Sequence, residues 1–418
     1  MKKILFMIFL LTSFSNIMAC YDAKLSDGDN FKSCSLKAEQ GNPIAQNSLG
    51  TMYRKGEGTS KDYKQALKWY DKSAEQGNSS AQNNLGNLYR FGRGISKDYK
   101  LALKWYRLAA EQGSPNAQNN LGSMYREGVG TSKDYKQALK WYEKSAEQGN
   151  SYGQNNLGTM YRKGRSLSKD YKLALKWYRL AAEQGNSLGQ DNLGLMYATG
   201  QGVRTNKTLA YVWWNIAEAS GSSGAIKNID KVKKQLKFKH KREAEYIIGY
   251  MYHNGNGISR DNIKALQWYQ KAAGKGHAKA QYSLGVMYNN GEGVVKDFGQ
   301  AANWFKKAAE QGFAIAQFRL GVMYSNGKGV TQDYKLALKL YNLAAEQGFV
   351  KAQYNLGLLY YSVEGIRDPK LAYMWWDIAG ASGNEDAIKN RNIVLKKMTD
   401  SQIKDAQKLA KKWLVSHE

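Results

Sequence analysis

Nine times the chain repeats one phrase: a small residue, a polar one, two variable positions, Leu-Gly or Ile-Gly, then Met-Tyr or a close variant. The small residue falls at Ala45, Ala81, Ala117, Gly153 and Gly189, each 36 residues after the last. It restarts at Ala244 and steps by 36 again to Ala280, Ala316 and Ala352. A fixed period of this length marks a solenoid, in which one supersecondary unit stacks on copies of itself. No unit buries its apolar face alone, so the question becomes which face of the stack binds what.

Residues 42–77 serve as the reference unit. Ala45, Leu49, Met52 and Tyr53 recur at helical spacing and line one face of a predicted first helix. Gly50 lies in mid-helix, where glycine costs about 1 kcal/mol relative to alanine. Its return in every repeat implies that a second helix approaches too closely for a Cβ. Gly56-Glu57-Gly58 ends the first helix, since glycine alone adopts left-handed dihedrals cheaply. Asp62 is expected to cap the second helix, with Gln65 completing a capping box. Ala66, Trp69, Tyr70, Ser73 and Ala74 then mark a buried stripe that stops at Gly77. Every repeat carries near-equivalents of these aromatics, which assigns them to packing rather than to a ligand.

These residues (A-x-x-x-LG-x-MY, then G-x-G, then D-Y-x-x-A-x-x-WY-x-x-AAEQG) resemble the Sel-one-like repeats, relatives of tetratricopeptide repeats. The resemblance covers about residues 36–398. It implies an all-α fold, a right-handed α-α superhelix with a concave groove, and an adaptor function without a cofactor. Some exported bacterial members are associated with host contact or the cell wall. One branch linked to penicillin binding carries a cysteine pair in each repeat; this chain does not, so that enzymatic association is not inherited.

Residues 1–19 read as a signal peptide: Lys2 and Lys3, an apolar run from Ile4 to Leu11, and a cleavage site after Ala19. Losing Lys2 and Lys3 lowers the formal charge of +27 by two, and the remainder stays strongly basic. No later stretch approaches the ~20 apolar residues that span a bilayer, so the expected location is periplasmic or secreted. Both cysteines, Cys20 and Cys34, fall in an N-terminal segment, 20–36. In an oxidising compartment they are expected to form a disulfide contributing about 3 kcal/mol. Acylation of Cys20 is the alternative, against which Met18 counts.

The period breaks once, dividing the chain into a first array at 37–217, a cap-like junction at 218–243, a second array at 244–398 and a C-terminal capping helix at 399–418. Leu209–Ala217 resembles Leu371–Ala379, and Ala225–Asn228 resembles Ala387–Asn390, so the junction looks like an internal copy of the chain's end. Thr59–Tyr70 and Thr131–Tyr142 are identical, as are Ser96–Gly113 and Ser168–Gly185. Two-unit blocks were copied, so like residues within the first array are not independent signs of a site.

With Ala45, Leu49 and Tyr53 facing the core, positions 47, 51 and 54 of the unit point most nearly away from it. The resemblance assigns this side of the first helix to the concave surface. Down the first array it reads Asn47, Asn83, Asn119 and Asn155 beside Arg54, Arg90, Arg126 and Arg162. Down the second it reads Tyr246, Tyr282, Phe318 and Tyr354 with Tyr250 and Tyr361. The arginine column suits carboxylates, phosphates or acidic sugars, because guanidinium binds oxyanions through paired hydrogen bonds. A copied solubilising face is the competing reading of it. The aromatic column suits an apolar helix, an extended peptide or stacked sugars, and packing between units is the competing reading there.

The G-x-G ends a helix and is no nucleotide fingerprint, the four histidines are scattered, and neither Gly-x-Ser-x-Gly nor HExxH occurs. Basicity in an exported chain points to an anionic envelope or host polymer or an acidic protein rather than nucleic acid. The leading expectation is a non-enzymatic scaffold for a protein or peptide partner in the groove. The alternative is a peptidoglycan- or β-lactam-related cell-wall enzyme, or a modulator of one.

Overall fold

The computed structural model describes residues 20–417, so the signal peptide expected at 1–19 lies outside the described residues. Among the described residues all regular structure is helical, in 22 helices. The chain divides into two compact units, one running to Asn206 with Ala217–Ala225, the other made of Lys207–Ile216 and the chain from Ile226 on.

In the first unit α1 (Asp27–Glu39) leads four hairpins. These are α2 (Pro43–Lys55) with α3 (Tyr63–Glu75), α4 (Ser79–Phe91) with α5 (Tyr99–Glu111), α6 (Pro115–Glu127) with α7 (Tyr135–Glu147), and α8 (Ser151–Lys163) with α9 (Tyr171–Glu183). α10 (Ser187–Thr199) follows them; α11 (Lys207–Ala219) and α12 (Ala225–Lys233) come next in the chain, with most of each belonging to the second unit. The second unit pairs α13 (Phe238–Asn254) with α14 (Asn262–Gly274), α15 (Ala278–Asn290) with α16 (Phe298–Glu310), and α17 (Ala314–Asn326) with α18 (Tyr334–Ala345). It ends with α19 (Val350–Ser362) and α20 (Pro369–Ala381), then α21 (Glu385–Leu395) and α22 (Asp400–Ser416). Within each unit, the helices of a hairpin pack on one another and the second packs on the first helix of the next hairpin.

The reference hairpin follows its sequence closely. The buried residues of α3 are Ala66, Trp69, Tyr70, Ser73 and Ala74, the stripe read from periodicity. Asn42 caps α2 by accepting from the Ile44 and Ala45 N–H groups, and Gly56 closes it with φ of 80°. At Gly50 the close approach comes from a side chain: a Cβ there would lie 2.7 Å from the Tyr70 ring. Overpacking of that kind costs about 1–3 kcal/mol.

The expected capping box at Asp62 is only half made. Asp62 Oδ1 accepts from the Lys64 and Gln65 N–H groups. The Asp62 N–H that Gln65 would have to receive already donates to the Tyr53 carbonyl, at 2.8 Å. That bond ties the loop back to α2 and leaves the glutamine free. At the other end of the chain Thr399 and Gln402 do form the reciprocal box that starts α22.

The glutamine of the AAEQG phrase also has a structural task. Gln76 donates to Gln46 Oε1 at 2.7 Å, and Gln46 donates to the Ala38 carbonyl of α1. Gln112 with Gln82, Gln148 with Gln118 and Gln184 with Gln154 repeat the rung. Each rung satisfies a buried amide while stitching three helices together.

Candidate functional site

In the first unit, neighbouring first helices meet through amides. Asn84 donates to Asn47, Asn120 to Asn83, Asn156 to Asn119 and Asn192 to Asn155, all at 2.8–3.0 Å. Asn83 and Asn155 are buried, and Asn47 and Asn119 are half-buried. Their side chains are thus committed to the stack, while the arginines reach the rim.

A buried tyrosine positions each end of the arginine column. Arg54 Nε donates to the Tyr70 hydroxyl and Arg162 Nε to the Tyr178 hydroxyl, both at 3.2 Å. Thr51 and Thr159 hold the same hydroxyls from the other side at 3.0 Å. Burial pushes the Tyr70 and Tyr178 pKa values up, against the pull of these threonines and arginines, so both phenols stay neutral. Anchoring through Nε leaves the terminal amino groups of Arg54 and Arg162 for other partners. In the middle of the column Arg90 and Arg126 share one carboxylate, that of Glu127, at 2.9 and 2.5 Å.

In the second unit the same seam is filled by rings. Tyr246 stacks on His277 with centroids 4.7 Å apart, Tyr282 meets Phe313 at 5.5 Å, and Phe318 meets Phe349 at 5.1 Å. Tyr361 lies against Trp376 at 5.5 Å, and its hydroxyl accepts from Lys397. Tyr354 accepts from Asn390 at its hydroxyl, at 3.4 Å. These rings are half-buried, whereas Tyr250 is 46% exposed. Tyr250 lines an open cleft of about 440 Å³ with Tyr246, His253, Tyr282, Val286 and Phe313. Beside it is a second cleft of about 350 Å³ lined by Lys239, His240, Arg242, Glu243 and Lys279, and Lys279 borders both. His277 fixes the boundary: its Nδ1 accepts from the Ala280 N–H, which puts the ring proton on Nε2, 2.8 Å from Glu243.

Several features escaped the helical-wheel reading. The residue that caps each first helix is polar in the first array (Asn78, Asn150, Asn186) and becomes His277, Phe313 and Phe349 in the second. Glu245 and Lys275 replace one Gln–Gln rung with an ion pair whose glutamate is buried. Glu127 stands where Lys55, Phe91 and Lys163 stand in the other hairpins. All three were visible as departures from the 36-residue register. Cys20 and Cys34 are joined in a disulfide, with Cα atoms 4.7 Å apart.

The Sel1 repeat model matches nine stretches: 43–78, 79–114, 115–150, 151–186, 187–222, 242–277, 278–313, 314–349 and 350–384. Among solved structures, the chain is similar to a protective antigen present in uropathogenic Escherichia coli strains and displaying an SLR fold. That match has 35% identity, covers 94% of this chain and 88% of the other, and has a TM-score of 0.45. It is also similar to a Sel1 repeat protein from Oxalobacter formigenes, at 33% identity, over 59% of this chain and 90% of the other, with a TM-score of 0.44. No curated protein matches the chain.

Proposed function

The chain belongs to the Sel1 repeat family, whose members act as protein–protein interaction scaffolds, and from that premise we propose a two-part docking face on its first helices. The first array by itself offers guanidinium heads to acidic groups, and the second by itself offers a ring-lined cleft to an apolar segment. The observation that carries this reading is the contrast between the 440 Å³ cleft lined by Tyr250 and His253 and the arginines that stand at the His253 register in the first array. Large exposed rings around an open cleft favour an interface over a solvated face.

We place the protein outside the cytoplasm, in the periplasm or secreted, in contact with envelope or host components. The leader expected at 1–19, the disulfide and the basic charge support this; no helix among the described residues is long and apolar enough to cross a membrane. The Escherichia coli relative's description as a protective antigen fits the same location.

The test is affinity capture from envelope extracts and host-cell lysates, comparing wild type with two variants. Tyr250→Ser is the cleaner aromatic probe, because Tyr246, Tyr282, Phe318 and Tyr354 also hold neighbouring hairpins together. It should lose a partner that wild type retains, at unchanged thermal stability. Reversal of Arg54, Arg90, Arg126 and Arg162 to Glu should lose an acidic partner and flatten its salt dependence. A partner retained by both variants would defeat the two-part face.

A further inference from the structure

One pair of arginine heads, Arg90 and Arg126, forms a slot, and the chain itself shows what it holds. Glu127 sits between Arg90 and Arg126, one oxygen on each guanidinium. A single carboxylate therefore spans arginines from consecutive hairpins, and the column's spacing already fits an oxyanion. In the first hairpin Lys55 follows Arg54, and its ammonium is balanced by Glu57 two residues on, at 2.9 Å.

The fourth hairpin has neither carboxylate. Lys163 stands where the third hairpin has Glu127, and Arg165 stands where the first has Glu57. Arg162, Lys163 and Arg165 have no ion-pair partner among the described residues. Burial lowers the Lys163 pKa, and Arg165, Arg162 and Arg126 lower it further. Arg126 already holds one oxygen of Glu127, but Arg162, Lys163 and Arg165 beside it have no acid, and unpaired like charges are stabilised by an anion that joins them. The heads are also held: Arg162 by the Tyr178 hydroxyl, and Arg165 over the Tyr135 ring at 5.1 Å.

We propose that Arg126, Arg162, Lys163 and Arg165 form a slot for an acidic side chain of a protein partner, which sits there as Glu127 sits one hairpin earlier. The assignment rests on the reading of the first array as a partner-binding face. A carboxylate is favoured over other oxyanions because the seated example is one.

The full chain is titrated with a fluorescein-labelled Ser-Glu-Glu-Glu-Ser peptide and with its Ser-Gln-Gln-Gln-Ser counterpart, following anisotropy. Lys163→Glu rebuilds the Glu127 arrangement and should weaken the acidic peptide at least tenfold more than Lys172→Glu, an equal charge change on exposed α9. Glu127→Lys opens the middle slot and should raise the number of peptides bound. Equal losses from Lys163→Glu and Lys172→Glu overturn the slot, as does displacement of the peptide by inorganic phosphate at lower concentration than by acetate. If Lys163→Glu has no special effect while the fourfold arginine reversal abolishes binding, the slot is wrong and the face stands. If neither matters, the face itself is wrong.

Discussion

Where the first array joins neighbouring first helices through paired asparagines, the second joins them through rings, and the capping residues change with the seam. Asn78, Asn150 and Asn186 accept N–H bonds at the starts of α4, α8 and α10. The side chains of Phe313 and Phe349 accept none, and their rings instead meet Tyr282 and Phe318, respectively, of the neighbouring first helices. A lost cap costs about 1 kcal/mol, and an aromatic pair returns about 0.5–1.5 kcal/mol beyond the area it buries. The exchange is close to even in stability, so it can drift while the fold persists. What it changes is the exposed chemistry, amide and guanidinium on one side, tyrosine and aliphatic on the other.

The largest expected effect tests the rung where the arrays differ most in polarity. Glu245 is 3% exposed and is paired with Lys275, where the four hairpins α2–α9 of the first array have two glutamines. Glu245→Gln or Lys275→Gln alone breaks the pair and should cost about 3 kcal/mol in urea unfolding of the second unit. The double change to Gln restores the rung of Gln281 with Gln311 and should recover most of that loss. If the double variant is no better than the singles, the two kinds of rung are not equivalent and the shared framework is narrower than drawn.

A smaller effect is expected where the seam itself is converted. Phe313→Ala removes a half-buried ring from Tyr282 and should cost about 2 kcal/mol, below the range for fully buried phenylalanines. Phe313→Asn loses the same ring but regains a first-array cap, so it should be about 1 kcal/mol more stable than the alanine variant. Thermal melts of the two variants side by side check the difference. Equal melts would show that the rings, once present, leave no room for the cap.

Much of this was legible in the sequence, because the repeat fixes each hairpin's register. Tyr70, Trp69 and Gly50 could be placed from spacing alone, and the structure sets Tyr70 against Gly50. Asn83 and Tyr246 were harder. A helical wheel reports the direction away from a residue's own hairpin, and the next hairpin covers half of that side. The seat of Glu127 was harder still, since it depends on two arginines 36 residues apart reaching one point. Comparing the columns at 42, 46, 55 and 57 across repeats, and asking where one breaks step, would have found these exceptions.

The smallest effect concerns the loop beside the proposed slot. Ser166 has φ of 67° and is the one non-glycine residue with positive φ among the described residues. At the equivalent place the second array keeps Gly257, Gly293 and Gly329, with φ of 70–75°. A left-handed side chain costs about 1–2 kcal/mol, while glycine gives back about 0.4–1 kcal/mol through the freer unfolded chain. Ser166→Gly should therefore stabilise the first unit by roughly 0.5 kcal/mol, read as a small rise in melting temperature. It keeps all four cations of the slot, so acidic-peptide binding should hold. A stabilised variant that loses the peptide would mean that the serine's conformation, and not only the charges, sets where Arg165 points.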